Sequence, residues 1–156
     1  MLNKEFTYKK IEEIAKNKCY SVAEKISIPS LIISADTVVI YNNTVMGKPK
    51  DYIEAYNMLK LLNGNSHKVV TAICIKDTAS EKEIIKSETS KVNFNFVKND
   101  DINKYIEEYK PMDKAGAYGI QEMPDYFIKS IEGDYENIVG LPIKLLNKMI
   151  EEINKY

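Results

Sequence analysis

The chain contains no arginine: all 22 of its basic side chains are lysines. Nothing in it can grip a phosphate or carboxylate through the planar, two-pronged contact of a guanidinium, and every positive charge is a compact ammonium on a flexible stem. Cysteine is nearly as scarce. Cys19 and Cys74 are the only two, far apart and without metal-ligand spacing, which excludes a thiolate zinc site and a disulfide-stapled scaffold. Both are expected as buried, reduced thiols, one on a helix face and one in a strand core. His67 is the single histidine, and with no second histidine or cysteine near it, it reads as structural. No apolar run approaches the length that spans a bilayer. The stretch from Met1 to Lys10 is polar and charged, unlike a secretory signal. A formal net charge of -1 gives no overall field toward nucleic acid or an anionic membrane. The expectation is a cytoplasmic protein that contacts neither.

What is present describes an ordinary globular chain. Its 156 residues, 44% hydrophobic and 29% charged, predict one domain over residues 1–156 with a sizeable core. From Tyr8 to Lys25, Ile11, Ile14, Ala15, Cys19, Val22 and Ala23, followed by Ile26, recur at helical spacing. Leu31 to Ile40 is a mostly apolar run that predicts a strand covered on both faces. Asn42-Asn43 predicts a tight turn into a short strand at Val45-Met46. Asp51, with Glu54 three positions on, opens a helix carrying Ala55, Met58, Leu59 and Leu62, which Asn63-Gly64-Asn65 stops. Val69–Ile75 and Ile84–Val97 predict strands, the second antiparallel with Val92, Phe94 and Phe96 alternating inward. A helix at Asp100–Tyr109, a strand at Tyr126–Ile131, a turn at Asn137–Pro142 and a helix at Ile143–Tyr156 complete the pattern. The predicted class is α/β, a mixed central sheet flanked by helices.

The richest candidate segment is Asp113-Lys114-Ala115-Gly116-Ala117-Tyr118-Gly119-Ile120-Gln121. Its glycines suit a backbone that something approaches closely, Lys114 can meet an anion, and Gln121 carries both a donor and an acceptor for a polar edge. A purely structural turn is the alternative. Asp36 interrupts an apolar strand, and two readings are open for it. Either it faces a crevice with Thr37 beyond a strand's carboxyl end, or it bonds backbone amides in a bulge. Gly47-Lys48-Pro49 sets a lysine on a stiffened loop, although most loop lysines are merely solvated. Tyr135 to Pro142 reads as a helix entry. A divalent ion here must be held by oxygens, which suits Mg²⁺ or Mn²⁺ together with phosphates.

Four segments together resemble the Maf family of nucleotide pyrophosphatases, once called septum-formation inhibitors. They are Ser34–Val39, Gly47-Lys48-Pro49, Asp113–Gln121 and Gly133–Pro142, in the family's order and separations from the helix of Lys18 onward. The resemblance implies an inosine triphosphatase-like fold and metal-dependent hydrolysis of a nucleoside triphosphate to the monophosphate and pyrophosphate. On it, Asp36 aligns with the proton acceptor and metal ligand, and Lys48 and Lys114 neutralise phosphate charge. Thr37 and Gln121 select the base, and Ile120-Gln121 resembles the branch acting on dTTP and UTP. A homodimer is a further possibility the family raises.

The family pattern also places a strand and a Ser-x-Ser-Pro-Arg-Arg loop ahead of the first helix. The chain as given has neither, so a missing first strand is expected, with a misplaced start and a truncated copy as open explanations. Glu122 stands where the family usually has a small residue. These departures keep a second reading open, a weak or inactive nucleotide-binding protein linked to cell division.

Overall fold

The computed structural model describes residues 5–155. Met1–Lys4 and Tyr156 lie outside them, and with them the start of the polar leading stretch and the last residue of the expected closing helix.

Helix α1 (Tyr8–Ala23) begins at Thr7, whose hydroxyl accepts from the Lys10 amide, and it buries Ile11, Ala15 and Cys19. That stripe, spaced four residues apart, is narrower than expected: Ile14 and Val22 are 44% and 43% exposed. They sit to one side of the line that meets the sheet. Strand β1 (Leu31–Tyr41) turns through Asn42 and Asn43, both at positive φ, into β2 (Thr44–Met46). Two consecutive left-handed residues match the twist of a two-residue hairpin, and asparagine tolerates them. Helix α2 (Tyr52–Leu62) is capped by Asp51, which accepts from the Glu54 amide as expected.

Strand β3 (Ser66–Asp77) then lies antiparallel to β1 without interruption, from Leu31 opposite Asp77 to Ile40 opposite Lys68. Strands β4 (Glu83–Phe94) and β5 (Ile128–Glu132) add on the far side, giving the order β2-β1-β3-β4-β5. The α/β class with flanking helices holds. Every pairing, however, is antiparallel, where a mixed sheet was expected. The reason lies in the connections. β2 and α2 return the chain to the end of the sheet where β1 finished, so β3 starts there and runs the opposite way.

Helix α3 (Asn99–Tyr109) packs beside α2, and their residues Met58, Leu59, Leu62, Ile102, Tyr105 and Ile106 cover Val69, Val92 and Phe94. Helix α5 (Ile143–Asn154) covers Ile73 and Ile75 on the same face through Met149 and Ile153. Helix α1 covers the other face through Val70, Ala72 and Cys74. Alternation along β3 thus feeds two helical layers. Truncating a fully buried residue such as Leu59 to alanine is expected to cost about 2–5 kcal/mol.

Several expected boundaries differ. β4 ends at Phe94, and Phe96 points outward at 78% exposure. A 3₁₀ turn (Asp125–Phe127) precedes β5. The expected turn at Asn137–Pro142 begins inside a short helix α4 (Tyr135–Val139), which Gly140 ends at φ 128. Among the described residues no helix is long and apolar enough to cross a membrane.

Candidate active site

Asp36 sits in the middle of β1, opposite Ala72 of β3. The register there is regular, so the bulge reading does not apply. Nor does the site lie beyond a strand's carboxyl end. β2 stops pairing at Val39 opposite Met46, so among the described residues Asp36 and Thr37 are paired on the β3 side alone.

Strand alternation sends Asp36 toward the α1 face and Thr37 toward the opposite one. On the α1 side the ammonium of Lys18 forms an ion pair with the Asp36 carboxylate and also lies 3.5 Å from the Ala35 carbonyl oxygen. Helix α1 packs directly over β1, which brings these distant positions together. On the other side the Thr37 hydroxyl is 2.8 Å from that of Thr71 and 3.2 Å from the Gly140 carbonyl oxygen. Thr71 in turn donates to the Asn137 carbonyl at 3.2 Å. Two hydroxyl protons serve these three contacts, so toward the cleft Thr37 presents an acceptor. Asn137 is fully buried and donates its amide to the Val69 carbonyl and the Ser90 hydroxyl at 3.1 and 3.0 Å. It ties α4, and with it Gly140, to the middle of the sheet.

The loop of Lys114 is pinned at three points. Its Gly116 amide donates to the Gly47 carbonyl at 3.1 Å, fastening it to the loop that carries Lys48. The Gly119 amide donates to the Tyr105 hydroxyl at 3.2 Å. The Tyr118 hydroxyl meets His67 Nε2 at 2.6 Å in the core. Gly116 stands at φ 68, and a Cβ there would lie 3.0 Å from the Val39 side chain, so both conformation and space demand glycine. Gly119 is crowded for a different reason. A Cβ on it would come within 2.8 Å of Cδ and Cε of Lys114, whose stem lies across the bare backbone.

Burial is the largest cause of the pKa shifts in and beneath this loop. It lowers His67 from 6.5 to about 4, raises Tyr105 to about 12 with the charges of Glu122 and Asp113 adding to it, and raises Tyr118 as well. All three are neutral near pH 7, so the loop rests on an uncharged floor and the cleft's charges are those of its rim. His67 is buried in the core against Tyr118, and Cys19 and Cys74 are buried free thiols.

A cavity of about 380 Å³ gathers Asp36, Thr37, Lys48, Lys114 and Gln121, with Lys18, Asp113, Glu122 and Gly140. All five residues singled out in the sequence therefore line one cleft, of a size typical for small ligands. Lys18 was missed as part of it, and Thr71, Tyr105 and Asn137 as residues bonded behind its walls. Lys18 carried only the signal of a lysine on the first helix, and Asn137 the look of a turn residue. For a metal, the described residues contain no cluster of three or more His, Cys, Asp or Glu. Mg²⁺ and Mn²⁺ commonly bind through one or two carboxylates plus phosphate oxygens and waters, and the carboxylates lining the cleft are those of Asp36, Asp113 and Glu122.

Fold and cleft together define an α/β protein whose antiparallel sheet carries a cleft lined by lysines and carboxylates, suited to a polyanionic small molecule. The model of the family described as Maf-like protein matches residues 3–153, and the chain belongs to that family. It is 45% identical over 143 residues to a dTTP/UTP pyrophosphatase of Clostridium novyi, covering 92% of this chain and 75% of the relative. A dTTP/UTP pyrophosphatase of Alkaliphilus oremlandii is 49% identical over 132 residues, covering 85% and 68%. One from Ruminiclostridium cellulolyticum is 42% identical over 147 residues, covering 94% and 76%.

Proposed function

We propose that the protein hydrolyses a nucleoside triphosphate, dTTP or UTP, to the monophosphate and pyrophosphate in the cytoplasm. The observation that carries this reading is the convergence of Asp36 with Lys18, Lys48 and Lys114 in one cleft. The names of the relatives support the same substrates.

In this reading Asp36 accepts the proton of a water that attacks the α-phosphorus. The new P–O bond forms as the bond to the bridging oxygen breaks, and pyrophosphate leaves. Lys18 orients the Asp36 carboxylate. Lys48 and Lys114 meet the charge that builds on the phosphates, where preorganised cations act most strongly. Asp36 would also hold a divalent cation, which when bound supplies further neutralisation of phosphate charge. At the base, Gln121 donates to one pyrimidine carbonyl and accepts from the ring N–H, while Thr37 borders the same subsite as an acceptor.

The test is pyrophosphate release from UTP and dTTP with Mg²⁺ or Mn²⁺. Turnover is expected, with a loss of about 10²–10⁴-fold on Asp36→Asn. A folded wild-type sample that releases none overturns the reading. Gln121→Ala is expected to erode the preference for UTP over CTP, and an unchanged preference would remove Gln121 from base selection.

A further inference from the structure

The geometry points to Glu122 as a specificity-determining residue that competes with the ligand's phosphates for Lys114. The inference rests on the pyrophosphatase reading and gives a role to a residue which that reading leaves unused.

Glu122 is held in place. Its own amide and that of Met123 both donate to the Gly119 carbonyl, at 3.1 and 3.0 Å, and Met123 is buried. This tight turn folds the Glu122 carboxylate back over the bare face of Gly119, where Oε2 lies 3.7 Å from the position a Cβ would take. The Lys114 stem occupies the same face. Its ammonium consequently stands 3.9 Å from Glu122 Oε2 and 3.7 Å from Asp113 Oδ1. Both separations exceed a hydrogen bond, so the carboxylates hold Lys114 by field alone and yield it readily. They differ in strength. The Asp113 side chain is 78% exposed against 44% for Glu122, so solvent screens Asp113 more.

Across the cleft the charges balance. Lys18, Lys48 and Lys114 face Asp36, Asp113 and Glu122. A ligand that takes Lys114 must displace Glu122 from it and then sit beside an uncompensated carboxylate. That opposition grows with the ligand's own negative charge. It bears on a triphosphate and on departing pyrophosphate, and hardly on a monophosphate. Glu122 thereby loosens substrate binding but also keeps pyrophosphate from lingering on the lysine.

The experiment is calorimetry with Mg²⁺ on wild type, Glu122→Gln and Asp113→Asn, using α,β-imido-UTP, inorganic pyrophosphate and UMP as probes. Glu122→Gln keeps the side chain's size at a solvated position, and an unchanged melting temperature checks the fold. The expected result is a Kd lower by a factor of about 2–5 for α,β-imido-UTP and pyrophosphate, the range of a partly exposed ion pair. UMP should change less than about 1.5-fold, and Asp113→Asn should have the smaller effect. The difference should shrink at 1 M KCl, where the screening length falls to about 3 Å; a merely structural role would not respond to salt. In steady state, KM for UTP should fall while kcat does not rise. Unchanged or weaker binding of both polyphosphates, or an equal gain for UMP, overturns the competition and leaves the pyrophosphatase reading intact. Failure of wild type and variants alike to bind or hydrolyse UTP and dTTP overturns that reading and this inference with it.

Discussion

The Lys18 ammonium reaches down from α1 onto the Asp36 carboxylate in the middle of β1. This contact assigns the carboxylate an orientation. The pair is partly solvated, at 52% and 21% side-chain exposure, so its share of stability is small, below about 1 kcal/mol. Lys18→Met should therefore leave the urea midpoint nearly unchanged while lowering kcat/KM for UTP about 10²-fold. A variant that keeps its activity would show that Asp36 needs no cationic partner.

Two glycines of one loop should respond differently to the same methyl group. Gly119→Ala places Cβ against the Lys114 stem, a flexible chain that swings aside and takes its ammonium with it. Activity should drop about 10–10²-fold, as expected for a small misplacement in a catalytic site, with little change in melting temperature. Gly116→Ala meets Val39 at φ 68, where an alanine pays about 1–2 kcal/mol in conformation alone. There the thermal transition should fall. Equal thermal effects from both would contradict the assignment.

Asn137 is a buried amide bonded to Val69 and Ser90. Asn137→Ala strands their partners and should cost about 2–3 kcal/mol, roughly 4–12 °C in melting temperature. Asn137→Asp should be worse at pH 7, because it sets a carboxylate against the Val69 carbonyl. Urea unfolding of the three proteins gives the order directly.

His67 provides a pH signature. Burial lowers its pKa from 6.5 to about 4, so between those values the unfolded chain binds a proton that the folded chain refuses. Its contribution is complete above about pH 6.5 and is lost as pH falls toward 4, at no more than about 1.4 kcal/mol per unit. Carboxylates add their own acid dependence to any variant. The comparison is therefore wild type against His67→Gln in urea at pH 7 and 4.5. The variant should show the shallower decline, and parallel declines would place the titration elsewhere.

The local elements were legible in the residues because their causes are local. The spacing of Ile11, Ala15 and Cys19 marks a helix face, Asn42-Asn43 demands a left-handed turn, and Asp51 caps the helix that follows it. The loop of Lys114 was legible as a loop for the same reason, since Gly116 takes a left-handed turn against Val39 that favours glycine. Phe96 was misread because inward alternation is meaningful only while a neighbouring strand continues, and β4 ends at Phe94.

The amino-acid order by itself thus determined which segments are helices and strands, and which five side chains belong to the candidate site. It did not decide how they meet. The antiparallel register that sets Asp36 opposite Ala72, the descent of Lys18 onto that carboxylate and the burial of Asn137 under α4 arise from chain closure and from packing of distant segments. The balance of charge between Lys114 and Glu122 depends equally on a turn that folds the loop over Gly119. Periodicity records what a residue's neighbours in sequence require, whereas such contacts are set by free energies that exist only once the layers have come together.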